Sequence, residues 1–162
     1  EMVGHGASPM PPSFRGGNAV SFKNEYFNLG SPVSIPVNGF GPGQRLRIVV
    51  KIHHGHGKMF SVNLKAGNET LFHFNPRCSE KEVVCNNTRH GSWQTEERHP
   101  IGVLEHTDVN TIEFVSGDNR AYEVYVNGSH FFNFAERDQP HAVNHIDIDG
   151  DVDVHSLHIS SH

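Results

Sequence analysis

From about residue 18 onward, apolar and polar positions alternate in short runs broken by turn-forming residues. Leu46, Ile48, Val50 and Ile52 share one parity of the run 45–52, with charged residues at several positions between them. Successive strand side chains point to opposite faces, so this spacing predicts a strand with one face buried. Phe60, Val62 and Leu64 predict the same for the next run, and runs 34–37, 111–115, 122–126, 131–134, 146–148 and 152–159 continue the habit. Between them lie Gly39-Phe40-Gly41-Pro42-Gly43, His54-Gly55-His56-Gly57, Asn127-Gly128 and Asp149-Gly150, which are turn signals. No stretch carries a convincing period of 3.6. About eleven or twelve short strands at this spacing predict an all-β fold, an antiparallel β-sandwich or jelly roll in two sheets.

Residues 1–17 are rich in Gly and Pro and poor in apolar residues, and read as a flexible tail before one domain at 18–162. No internal repeat or second domain is visible. Pro76 interrupts an otherwise strand-like run and predicts a local irregularity, since proline cannot donate to a ladder and is usually confined to edges or bulges.

Net charge is −5 with histidines neutral, which disfavours a nucleic-acid partner held by phosphate neutralisation. No run approaches the roughly 18 apolar residues of a membrane span, so membrane insertion is not expected. The N-terminus lacks the apolar core of a secretory signal, although it does not begin with Met. Cys78 and Cys85 do not make a disulfide framework; two reduced buried thiols are the simpler reading, with a cross-strand bridge the alternative. Sequons occur at Asn68, Asn86 and Asn127.

The candidate chemistry is concentrated in three fragments. His73, Asn75 and Arg77 form a row of hydrogen-bonding groups on one strand face, with Phe74 pointing the other way. Asn86 follows, and then Trp93-Gln94-Thr95-Glu96-Glu97-Arg98, in which Glu96 and Arg98 repeat the two-residue spacing. A flat aromatic beside donors and acceptors held on rigid strands suits a sugar, which has one apolar C–H face and a rim of hydroxyls.

The motif His73-Phe74-Asn75-Pro76-Arg77, Val84-Cys85-Asn86 and Trp93-x-x-Glu96-x-Arg98 resembles that of the galectins, β-galactoside-binding carbohydrate-recognition domains. The resemblance runs over roughly residues 18–160, supported by Phe60-Ser61-Val62-Asn63-Leu64, by 122–128 and by 146–152. It implies that His73, Asn75 and Arg77 hold the axial O4 of galactose. Asn86 and Glu96 would take O6, while Arg77, Glu96 and Arg98 reach O3 of the adjoining glucose or N-acetylglucosamine. Trp93 would stack on the apolar face of the galactose ring.

These roles fit the residue types. A half-buried polar group that loses its partner costs about 1–3 kcal/mol, so a site built for an axial hydroxyl rejects the epimer. Arg77 has a planar fork that can bridge sugar and carboxylate, with Glu96 the expected partner. Met59, Ser61 and Asn63 alternate with the buried face of their strand and could line a groove beyond galactose; a merely solvated face is the alternative. Two departures from the family stand out. Cys78 follows Arg77 where many members carry an aromatic, and the connection to Asn86 is short, which predicts a rim cut back at Ser79, Glu80, Lys81 and Glu82.

Other chemistries fit less well. His53, His54 and His56 sit on a Gly-rich turn without an adjacent Cys or carboxylate in sequence, so no functional metal site is expected, and no cofactor. A glycosidase needs two carboxylates flanking one bond, whereas Glu96 and Glu97 are neighbours facing opposite sides, and Arg77 and Arg98 would depress the Glu96 carboxyl. A galectin-like fold kept as a structural or protein-interaction module is the third reading, against which the intact motif argues. The expectation is therefore a metal-independent lectin without catalysis, its partners β-galactoside glycans on glycoproteins or glycolipids. The resemblance also allows a homodimer paired through terminal strands, and implies a cytoplasmic protein that can be exported without a signal peptide. Protonation of His73 would remove an acceptor nitrogen, so sugar affinity is expected to fall as pH drops through about 6.

Overall fold

The computed structural model describes residues 20–22, 24–137 and 143–161. The expected flexible segment 1–17 lies outside them. One sheet has seven strands, in the spatial order β1 (Val20–Phe22), β2 (Glu25–Leu29), β15 (Val152–Ser161), β4 (Gln44–Ile52), β11 (Val109–Ser116), β12 (Ala121–Val126) and β13 (Ser129–Ala135). The other has six: β10 (Glu97–Pro100), β7 (Glu82–Asn86), β6 (Glu69–Arg77), β5 (Phe60–Ala66), β14 (His145–Gly150) and β3 (Val33–Pro36). A two-stranded ribbon joins β8 (Thr88–Arg89) to β9 (Ser92–Trp93). Every pairing is antiparallel, as the alternating patterns predict. The excess over the expected eleven or twelve strands lies in short pieces such as β8 and β9, too brief to leave a period-2 signal. One 3₁₀ turn, Gly102–Glu105, buries Leu104.

Inward-facing positions of the two sheets interdigitate as one core. Leu46, Ile48, Val50 and Ile52 are all buried, as are Phe60, Val62 and Leu64. At its centre Phe72 stacks on Phe134 at 4.6 Å and on Tyr122 at 5.5 Å, and meets Phe114 at 4.9 Å. Full burial of each such side chain contributes about 2–3 kcal/mol. Because Phe72 and Phe74 are committed to this core, the pleat turns His73 and Asn75 to the outer face of the six-stranded sheet.

The register then sets which outer residues are neighbours. His73 pairs with Asn63 on β5 and with Asn86 on β7, and Asn63 pairs in turn with Asp147 on β14. Asn75 and Arg98 both pair with Val84, so they flank it in the adjacent row.

Pro76, where a local irregularity is expected, lies within β6, which runs between β5 and β7 rather than at an edge. The pairs Val62–Phe74 and Met59–Arg77 share one register and set Phe60 opposite Pro76. There the Asn75 side chain donates from Nδ2 to the Phe60 carbonyl at 2.7 Å. A side-chain amide thus supplies the donor that proline lacks. Gly150 is a second tight position: at φ +104, an added Cβ would meet the Met59 carbonyl oxygen at 2.5 Å and Phe60 Cα at 2.7 Å.

Candidate functional site on the outer face of the six-stranded sheet

His73 is the pivot of the outer face. Its Nδ1 lies 2.6 Å from Asn63 Oδ1, and its ring centroid is 4.6 Å from that of Trp93. Burial, and then the Arg77 cation, lower its pKa to about 4 from the ordinary 6.5, with Asn75 and Glu96 opposing. The ring is therefore neutral at physiological pH.

From His73 a chain of hydrogen bonds runs across the sheet. Asn75, 5 % exposed, accepts at Oδ1 from Arg77 Nε at 2.8 Å. Arg77 Nη1 donates to Glu80 at 3.0 Å, and the other oxygen of Glu80 accepts from Arg98 Nη1 at 2.6 Å. Arg98 also binds Glu82 at 2.9 Å and grips Glu96 Oε1 through Nε at 3.0 Å and Nη2 at 2.8 Å. The expected Arg77–Glu96 pair is replaced: Glu80 takes Arg77, and Arg98 takes Glu96. Bonds from Arg98 and Arg77 lower the Glu80 pKa, and Glu82, Glu80 and Glu96 raise that of Arg98. Such exposed pairs add little stability but fix the direction of each fork. The short connection after Arg77 therefore supplies Glu80 and Glu82 to the network. In the sequence they mark only a shortened rim, because their contacts depend on a turn that brings β6 and β7 back together.

Asn86 is 4 % exposed and its amide orientation is set on both ends. Nδ2 donates to the Gln94 carbonyl at 2.9 Å, while Oδ1 accepts from the Asn87 N–H at 2.8 Å and from Arg137 Nη1 at 3.1 Å. Arg137 lies just past the end of β13 in the opposite sheet and was not legible in the sequence; only contact across the sandwich identifies it.

Trp93 is 55 % exposed, on the two-residue strand β9 beside His73. A core role is thereby excluded, and an apolar ring face is presented next to polar atoms held in place. A ligand with one apolar face and a hydroxylated rim would gain area from the indole at little entropic cost, since only two torsions are fixed.

Met59, Ser61 and Asn63 lie on the outer face as expected, with Met59 48 % exposed. Asn63 does more than line a groove: it donates to Ser61 Oγ at 3.1 Å and to the Asp147 carbonyl at 3.4 Å while contacting His73.

The remaining candidates separate. His53 contacts Asp153 at 2.9 Å, His54 contacts Asp108 at 3.0 Å and the Leu104 carbonyl at 2.8 Å, and His56 contacts Ser79 at 3.3 Å. Carboxylates from distant segments do reach two of them, but each histidine has its own separate partner. Among the described residues no group of three or more His, Cys, Asp or Glu could hold a metal ion. Cys78 and Cys85 are free thiols, and burial raises the pKa of Cys85. Glu97 binds His99 at 2.8 Å, away from Glu96 on Arg98. Among the described residues no helix is long and apolar enough to cross a membrane.

The family model described as galactoside-binding lectin matches residues 32–159. A 32 kDa beta-galactoside-binding lectin of Caenorhabditis elegans is 32% identical over 123 residues, covering 75% of this chain and 43% of that protein. The chain thus spans less than half the length of that relative. Human Galectin-7 is 30% identical over 136 residues, covering 82% of this chain and 98% of its own length. The crystal structure of Caenorhabditis elegans galectin LEC-6 superimposes with a TM-score of 0.78 at 43% identity, over 86% of this chain and 98% of that one. Fold and matched segment agree: the chain belongs to the galactoside-binding lectin family, the galectins.

Proposed function

We propose that this domain binds β-galactosides on the outer face of the six-stranded sheet, without metal and without chemistry. The observation that carries the reading is the exposed Trp93 indole standing 4.6 Å from a neutral His73 ring, beside a linked row of donors and acceptors. His73, Asn75 and Arg77 meet the axial O4 of galactose, Asn86 and Glu96 its O6, and Arg77, Glu96 and Arg98 O3 of the next sugar. Met59, Ser61 and Asn63 face any extension beyond galactose. The name of the 32 kDa relative, a β-galactoside-binding lectin, supports the ligand class.

Binding without turnover is supported by the separation of Glu96 and Glu97, each held by a different basic partner. An open face gives a Kd in the micromolar to millimolar range, about −4 to −8 kcal/mol. Self-association or display of several domains would convert this into useful avidity. Asn86 is buried inside the site, so a glycan at this sequon would block it. That supports synthesis outside the secretory pathway, with glycans met after export.

Retention on lactosyl resin, release by lactose but not sucrose, and no hydrolysis of a chromogenic β-galactoside are the expected results. Passage through the resin without delay would overturn the reading, and turnover would overturn its non-catalytic part.

A further inference from the structure

Arg137 reaches the candidate site from behind. It follows β13 of the seven-stranded sheet, and its guanidinium lies over the Phe134 ring at 5.0 Å. Its Nη1 donates to Asn86 Oδ1 at 3.1 Å, to Asn87 Oδ1 at 3.0 Å and to the Thr95 carbonyl at 2.6 Å, and Nη2 lies 3.9 Å from Glu97. One guanidinium nitrogen, Nη1, therefore ties strand β7 to the backbone just ahead of Glu96. The planar guanidinium lies over the Phe134 ring, which fixes where Nη1 points, whereas a lysine ammonium is a point charge on a flexible stem.

The consequence falls on Asn86. An amide can present either its oxygen or its nitrogen to a ligand, and the two ends differ little in shape. Arg137 and the Asn87 N–H both approach Oδ1, and Gln94 accepts from Nδ2. That arrangement leaves the second Nδ2–H, among the described residues, as the donor not spent on the protein. The Glu96 carboxylate, two residues beyond Gln94, can only accept. Together they form one donor and one acceptor, the complement of a primary hydroxyl.

We propose that Arg137 is a positioning residue for O6 recognition: from the opposite sheet it holds the Asn86 amide with nitrogen toward the ligand and sets the Thr95–Glu96 backbone. This rests on the β-galactoside reading above and adds to it a residue that never touches the sugar.

Isothermal titration with lactose and with 6′-deoxylactose, which lacks the O6 hydroxyl, tests it. In the wild type, removal of that hydroxyl is expected to weaken binding about tenfold, the scale of one or two hydrogen bonds. Arg137→Lys and Arg137→Ala should weaken lactose binding by about five- to tenfold and 6′-deoxylactose binding by no more than about two- to threefold, the latter through the Glu96 contact to the next sugar, so that discrimination shrinks. If Arg137→Ala does not fold, Arg137→Lys carries the test, and in an Asn86→Ala background its effect on lactose should shrink to about twofold, the part that acts through Glu96. Parallel weakening of both ligands marks a merely structural prop and overturns the proposal, as does unchanged discrimination. Failure of the wild type to bind lactose would instead remove the reading beneath it, a distinguishable result.

Discussion

Asn63 Oδ1 stands 2.6 Å from His73 Nδ1, and this contact decides which ring nitrogen faces a ligand. The Asn63 amide donates from Nδ2 to Ser61 and to the Asp147 carbonyl, so Oδ1 is the end turned to histidine. An amide oxygen only accepts, so Nδ1 carries the proton and Nε2 is the acceptor. Nitrogen-15 NMR of His73 should show the Nδ1–H tautomer at pH 7, and Asn63→Leu should shift the population toward Nε2–H. A predominantly Nε2–H ring in the wild type would contradict this.

The pH dependence follows from burial of the same ring. The sequence-level expectation of a transition near pH 6 is corrected, because His73 is held to about 4. Lactose affinity attributable to His73 should stay level from pH 7.5 to 5 and fall only as pH approaches 4. A fall centred on pH 6 that disappears in His73→Gln would contradict the assignment.

Stability should move in the same window. In the unfolded chain His73 titrates near 6.5 and in the folded chain near 4, so between those values only the unfolded state holds the proton. The stability present above pH 6.5 is lost as pH falls to 4, by on the order of 3 kcal/mol. Urea unfolding at pH 7 and 4.5 should show a smaller loss in His73→Gln than in the wild type; equal losses would exclude this origin.

Glu80 bridges Arg77 and Arg98 at 3.0 and 2.6 Å, and its role is orientation. Glu80→Ala should weaken lactose binding by about three- to tenfold while shifting the thermal midpoint by less than about 2 °C, since exposed ion pairs contribute little to folding. Unchanged affinity with a large loss of stability would reverse that assignment.

Much of this was legible in the sequence, for a physical reason. The sandwich showed itself because Phe60 to Leu64 alternate strictly and Leu46 to Ile52 do so apart from Val49, and an alternating run can bury only one face. The motif positions from His73 to Arg98 were legible because three of them share one strand parity and the rest follow in a recognisable order. Glu80, Arg137 and the partners of Arg77 were not, since each depends on a turn or on the opposite sheet. The placement of Pro76 in an interior strand was also hidden, because the Asn75 amide that compensates for it is apparent only once Phe60 is known to lie opposite.

Two glycines with positive φ separate strain from crowding. At Gly128, φ is +84 and an added Cβ meets nothing within 4 Å, whereas at Gly150 it runs into the Met59 and Phe60 backbone. Gly128→Ala should cost about 1 kcal/mol through backbone strain alone. Gly150→Ala should cost about 3 kcal/mol or more, since backbone must shift. Chemical denaturation of both variants decides this, and equal costs would mean that the close approach at Gly150 relaxes freely.

A crystal structure of the protein with lactose is the sharpest test. Galactose is expected to stack on Trp93, with its O4 within hydrogen-bond distance of His73 Nε2, Asn75 and Arg77, and its O6 between Asn86 and Glu96. Lactose seated on another surface, or a galactose turned so that O4 points away from His73, would contradict it.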